Sequence, residues 1–91
     1  MKNFDMSGKT VMITGASRGI GKAAAYAFAN AGANVALLAR SIDDIAQTAG
    51  DIGQQALAIP CDVATRSEVE TAVAATARAF GGLDVLVGNA G

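Results

Sequence analysis

The segment Thr14-Gly15-Ala16-Ser17-Arg18-Gly19-Ile20-Gly21 is the part of this sequence best suited to chemistry. Glycines spaced in this way suit a backbone that has to hold a pyrophosphate. Gly15 permits a tight turn, Gly19 removes the Cβ that would keep the backbone off a phosphate, and Gly21 lets a following helix pack closely on a sheet. The helix start then presents free N–H groups and the positive end of its dipole. The competing reading is a glycine cluster that serves only as a turn. It is disfavoured because a buried apolar run precedes the cluster and a helical pattern follows it. A second motif overlaps the first: Ala16 to Ala23 approaches the triphosphate loop G-x-x-x-x-G-K-[ST]. Ala23, however, lacks the hydroxyl that would hold magnesium, so Lys22 reads as a solvated helix residue.

Other chemistries are poorly supplied. The sequence has no histidine, which removes the commonest general base and the commonest zinc ligand. Cys61 is the single cysteine, so no internal disulfide can form and no metal cluster is expected. It reads as a small residue at a strand end, with a reactive thiol as the second reading. The formal net charge of -1 and the lack of any basic block argue against a nucleic-acid partner.

The elements that must position the glycine loop are those of one small domain. The chain has 91 residues, 52% apolar and only 16% charged, a composition that buries surface. A free-standing domain of this size buries roughly 60–65% of its unfolded surface, so its stability is expected to be marginal. No apolar core follows Met1-Lys2-Asn3-Phe4-Asp5, so a signal peptide is not expected. Nor does any apolar run reach the ~18 residues of a membrane helix. The expectation is a soluble, cytoplasmic protein without a membrane partner.

Short apolar runs alternate with helical patterns, the signature of βαβ units and a parallel sheet. Strands are expected at Thr10 to Thr14, Asn34 to Ala39, Ala56 to Ile59 (closed by Pro60) and Asp84 to Val87. A first helix, from about Gly19 to Ala31, carries Ile20, Ala23, Ala24, Ala27, Phe28 and Ala31 as its apolar stripe, and Gly32 stops it. Ser41 can cap a second helix with Ile42, Ile45, Ala46 and Ala49 at helical spacing, ended by Gly50 and Gly53. The third helix has Val69, Val73, Ala77 and Phe80 as its stripe and Gly81-Gly82 as its end. Its start is open between two capping boxes, Ser67 with Glu70 and Thr65 with Glu68.

Right-handed crossovers send strands one to three outward in one direction and return the fourth beside the first. The predicted order is 3-2-1-4, an α/β Rossmann-type doubly wound sheet with helices on both faces. Ligands of such sheets bind at the carboxyl ends of the strands flanking the switch. Here those ends are Gly15-Ala16-Ser17 and Asn89-Ala90-Gly91.

With these motifs in place, the chain resembles the N-terminal, cofactor-binding part of a classical short-chain dehydrogenase/reductase. The family pattern T-G-x-x-x-G-x-G is matched by Thr14, Gly15, Gly19 and Gly21. Its acidic residue after the third strand is matched by Asp62 in Cys61-Asp62-Val63, and its N-A-G by Asn89-Ala90-Gly91, although Gly88 stands where a second Asn is frequent. The resemblance covers essentially the whole chain. It implies that Gly15, Ser17, Gly19, Ile20 and Gly21 line the pyrophosphate and nicotinamide side of a dinucleotide. It further implies that Asp62 accepts from the adenine amino group with the Val63 backbone nearby, that Asn89 pins the fourth strand, and that Ala90 and Gly91 wall the nicotinamide ribose. A turn or helix-start carboxylate is the plainer reading of Asp62.

Cofactor choice follows from charge. An NAD site sets Asp or Glu at the end of the second strand for the ribose 2′-OH. Here Ala39 is neutral and Arg40 follows, with Arg18 in the glycine loop, so a 2′-phosphate meets two guanidinium groups and no carboxylate. NADP(H) is expected ahead of NAD(H), against the plainer reading of both arginines as solvated surface charges. The resemblance also implies an alcohol or carbonyl substrate and a homo-oligomeric complete enzyme. No catalytic residue can be assigned. The family's Ser, Tyr-x-x-x-Lys and Asn follow the N-A-G segment, and the single tyrosine, Tyr26, has Asn30 four residues on and reads as a packing residue. Val85-Leu86-Val87 would leave an apolar open edge, which proteins normally cover. The expectation is therefore a fragment of an oxidoreductase. The alternative is a stand-alone nucleotide-binding or self-associating module without catalysis.

Overall fold

The elements alternate as β1 (Thr10–Thr14), α1 (Gly19–Asn30), β2 (Asn34–Ala39), α2 (Ile42–Ile52), β3 (Ala56–Pro60), α3 (Arg66–Phe80) and β4 (Val85–Val87). They come from a computed structural model that describes residues 5–88. The four strands form one sheet in the order β3-β2-β1-β4, every pair parallel. Register pairs Thr10 with Asn34, Val11 with both Val35 and Val85, and Val35 with Ala56. The expected topology is the one observed.

Two apolar layers cover the sheet. Val11, Ile13, Val35 and Leu37 point to one face, where Ala25 and Ala29 of α1 and Ile45 of α2 meet them. Met12, Ala36 and Leu38 point to the other, under Ala72 of α3 and beside Cys61. Strand residues on both parities are thus buried, which is why β1 and β2 read as continuous apolar runs. Asp84 fastens the start of β4: its Oδ2 accepts the Thr10 N–H at 2.9 Å, and its own N–H donates to the Thr10 carbonyl at 2.9 Å. Among the described residues no helix is long and apolar enough to cross a membrane.

The helices differ from expectation in rotation, not in position. α1 buries Gly21, Ala25 and Ala29, with Ala24 and Phe28 half-buried, whereas Ile20 is 79% exposed and Ala23 and Ala27 face outward. The contact row steps by four through Gly21, Ala25 and Ala29, which share one face of the helix. Hydrophobicity alone favours Ile20 and places the stripe about one residue away. In α2, Ile45 and Thr48 are buried while Ile42 and Ala46 are exposed, and the helix runs through Gly50 to cap at Gly53. α3 turns Ala72 and Thr76 inward, packs Val69 against the same layer with Ala77 and Phe80 half-buried, and leaves Val73 exposed; Thr65 is its N-cap residue, without a side-chain cap bond. Tyr26 lies on the flank of α1 and donates its hydroxyl to Asp51 Oδ2 at 3.1 Å, tying α1 to α2.

These rotations separate isoleucines that the sequence treats alike. Ile45→Ala removes a fully buried side chain and should cost about 2–5 kcal/mol in a denaturant melt. Ile20→Ala should cost less than about 1 kcal/mol by the same measurement; equal losses would mean that α1 is rotated the other way.

Candidate dinucleotide site at the carboxyl end of the sheet

β1 leaves the sheet directly into Gly15 and α1. Gly15 and Gly19 both have positive φ, 62° and 61°, the left-handed region that side chains with a Cβ disfavour. A Cβ built on Gly19 would meet nothing within 4 Å. Glycine is therefore required there by backbone conformation, and open space lies where the side chain would be. Ala16 is fully buried and its N–H donates to the Leu38 carbonyl at 3.1 Å, which ties the loop to the end of β2. Thr14 Oγ1 contacts the Val87 carbonyl at 3.4 Å on the opposite side, bridging β1 to β4 at the switch. Gly21 is buried in the first turn of α1.

The start of α1 differs electrically from the other two helix starts. Arg18 is its N-cap residue, no side chain caps it, and no acidic residue stands in its first turn. α2 has Asp43 and Asp44 in that place and α3 has Glu68. The leading N–H groups and positive dipole end of α1 thus face the glycine loop without a carboxylate competing for them. That arrangement fits an anionic pyrophosphate.

Arg40 follows β2 immediately and is exposed; Arg18 is exposed as well, and neither makes an ion pair among the described residues. Because Thr14 and Leu38 are register partners, Arg40, directly after β2, and Arg18, at the end of the loop that follows β1, both lie beyond adjacent strands at the same end of the sheet. Asp62 stands just past β3 at that end, half-buried. Its Oδ1 accepts the Ala64 N–H at 3.0 Å, so it is a turn carboxylate, with Oδ2 left over. Val63 is 57% exposed. Asn89, Ala90 and Gly91 lie outside the described residues. The structure therefore gathers Gly15, Ser17, Arg18, Gly19, Ile20, Gly21, Arg40, Asp62 and Val63 at one end of the sheet.

One contact in this region differs from what motif spacing implies. Glu68 Oε1 accepts the Asp62 N–H at 2.9 Å. The Thr65–Glu68 spacing signals a reciprocal cap, yet the carboxylate reaches past Thr65 because the Thr65 N–H already donates to the Asp62 carbonyl. Cys61 beside them is buried, and burial, then the Glu68 and Asp62 charges, push its thiol above the ordinary range.

Residues 9–91 match the short chain dehydrogenase family. A short chain dehydrogenase of Monascus purpureus is 48% identical over 92% of this chain, which spans 32% of that protein. Among solved structures, L-sorbose reductase from Gluconobacter frateurii, complexed with NADPH and L-sorbose, superposes with a TM-score of 0.90 at 39% identity, covering 99% of this chain and 36% of that one. The 3-ketoacyl-(acyl-carrier-protein) reductase from Brucella melitensis, complexed with NADH, gives 0.86 at 39% identity, covering 88% and 33%. This chain belongs to the short-chain dehydrogenase family, and it spans about a third of the length of these relatives.

Two outcomes follow from the local geometry. Gly19→Ala should cost about 1–2 kcal/mol of stability, measured by thermal melting, because the left-handed conformation strains an L side chain even in open space. Cys61 should stay protonated, and slow to alkylate, to a higher pH than a free cysteine, since burial and two carboxylates oppose the thiolate. Alkylation at the rate of an exposed thiol at pH 8 would contradict that placement.

Proposed function

We propose that this chain is the cofactor-holding part of an NADP(H)-dependent oxidoreductase, one that moves hydride between nicotinamide and an alcohol or carbonyl carbon. In this reading residues 1–91 are the front of a single dinucleotide-binding domain. The observation that carries the cofactor preference is the exit of β2: buried, neutral Ala39 followed by exposed Arg40, with exposed Arg18 at the start of α1 after the neighbouring strand. A 2′-phosphate carries charge that two guanidinium groups can pair with bidentate geometry, and no carboxylate occupies the position that would bind a 2′-OH instead. The NADPH and NADH reported with the two neighbours support a nicotinamide dinucleotide as the ligand class.

Each residue then has a task. Gly15 and Gly19 shape the loop around the pyrophosphate, Ser17, Ile20 and Gly21 complete its wall, and the uncapped start of α1 supplies N–H donors. Asp62 offers Oδ2 to the adenine amino group beside the Val63 backbone. Asn89, Ala90 and Gly91 would border the nicotinamide ribose, following the family pattern they match. The bound dinucleotide supplies the hydride chemistry; the chain binds and orients it. Tyr26 takes no part in proton transfer, because its hydroxyl is committed to Asp51 between two helices.

Calorimetric titration with NADP⁺ and NAD⁺ at low salt tests this reading. NADP⁺ should bind more tightly. Arg40→Ala or Arg18→Ala should weaken NADP⁺ by roughly ten- to a hundredfold while hardly changing NAD⁺. Equal affinities for the two nucleotides, or arginine variants that weaken both alike, would overturn the NADP(H) preference. Binding of neither nucleotide would overturn the cofactor-holding role of this chain.

A further inference from the structure

Asp62 is held more completely than a surface turn requires. Its carbonyl accepts the Thr65 N–H at 2.9 Å, its Oδ1 accepts the Ala64 N–H at 3.0 Å, and its N–H donates to Glu68 Oε1 at 2.9 Å. Among the described residues Oδ2 is its one polar atom without a partner. Two of these bonds are local and would form in many turns of this kind. The third depends on an exposed side chain six positions away, from the first turn of α3.

The chemistry of Glu68 sharpens the point. A helix-start glutamate ordinarily returns to the N–H of its own N-cap residue. Here that donor is used by the Asp62 carbonyl, and the carboxylate goes on to the Asp62 N–H. The result sets a second negative group beside Asp62 and Cys61, which acts against the thiolate of Cys61.

We infer that Glu68 is a positioning residue, which fixes the backbone of Asp62 so that its one unpartnered carboxylate oxygen is presented to the exocyclic amino group of the cofactor's adenine. The inference rests on the proposed adenine contact of Asp62. Glu68 touches no part of the cofactor. It acts by removing the freedom of Asp62, so that less conformational freedom is lost when the adenine amino group binds.

The test compares NADP⁺ with its hypoxanthine analogue, in which a carbonyl replaces the amino donor, by calorimetric titration of this chain. Hydrogen exchange of the Asp62 amide is followed in parallel. The unsubstituted chain should prefer the adenine form, and Asp62→Ala should abolish the preference. Glu68→Ala should reduce it by roughly three- to tenfold, with little effect on the hypoxanthine form, and should speed exchange of the Asp62 amide. Glu68→Gln, which keeps the acceptor and removes the charge, should restore both readouts. If Asp62→Ala abolishes the preference and Glu68→Ala leaves it intact, the positioning role is wrong and the adenine contact stands. Glu68→Ala weakening both nucleotides equally would reduce Glu68 to a structural cap and overturn the inference. A chain with no preference for adenine, or one whose preference survives Asp62→Ala, removes the adenine contact and the inference with it.

Discussion

The rest of the structure depends on the two hydrogen-bonded edges of β1. One edge takes β2, the next strand in sequence, and the other takes β4, the last. A parallel strand can reach that second edge only by crossing the opposite face, which is why α3 lies over Met12, Ala36 and Leu38 while α1 and α2 lie over Val11, Ile13 and Leu37. At the carboxyl end of β1 the chain turns into α1 on one face, while β4 ends on the other side of β1 with its crossover helix on the opposite face. The glycine loop lies at that divergence, held to β2 by the Ala16 N–H and with β1 bridged to β4 through Thr14.

Packing and binding place related demands on the same few residues. Gly15 and Gly19 adopt a backbone conformation that glycine tolerates best, and Gly21, Ala25 and Ala29 form the row on which α1 approaches the sheet. Small side chains in that row bring the helix start near the end of β1. The uncapped start, with no acidic residue in its first turn, then carries positive potential toward the glycine loop. On the far side, the α3 start carries Arg66 and Glu68, and Glu68 spends its carboxylate on the turn that carries Asp62. The proposed pyrophosphate and adenine regions thus sit at two helix starts, one without and one with a first-turn carboxylate.

Strand order, strand positions and the layering of helices were legible in the sequence, because buried parallel strands read as unbroken apolar runs and crossover handedness leaves one arrangement. Helix rotation was not legible. Ile20 and Val73 look like core residues by type, whereas the faces in contact belong to Gly21, Ala25, Ala29, Ala72 and Thr76. Residue type does not separate Ala25 and Ala29, which turn inward, from Ala23 and Ala27, which face outward. The glycine loop, Arg18, Arg40 and Asp62 could be picked out by spacing. Glu68 was visible only as a cap for Thr65; its contact with Asp62 was not, since its partner is set by which N–H groups the Asp62 turn has already used, a property of three-dimensional hydrogen-bond accounting.

The most direct test of the account is a ¹⁵N–¹H spectrum of the chain recorded as NADP⁺ is added. The predicted result is a set of saturating shifts at residues 15 to 21, Arg40, Asp62 and Val63, all at the carboxyl end of the sheet, with Asp84 and Lys9 at the other end unmoved. Shifts centred on that opposite end, or on the outer face of α3, would contradict the claim that the divergence of the chain around β1 forms the nucleotide site.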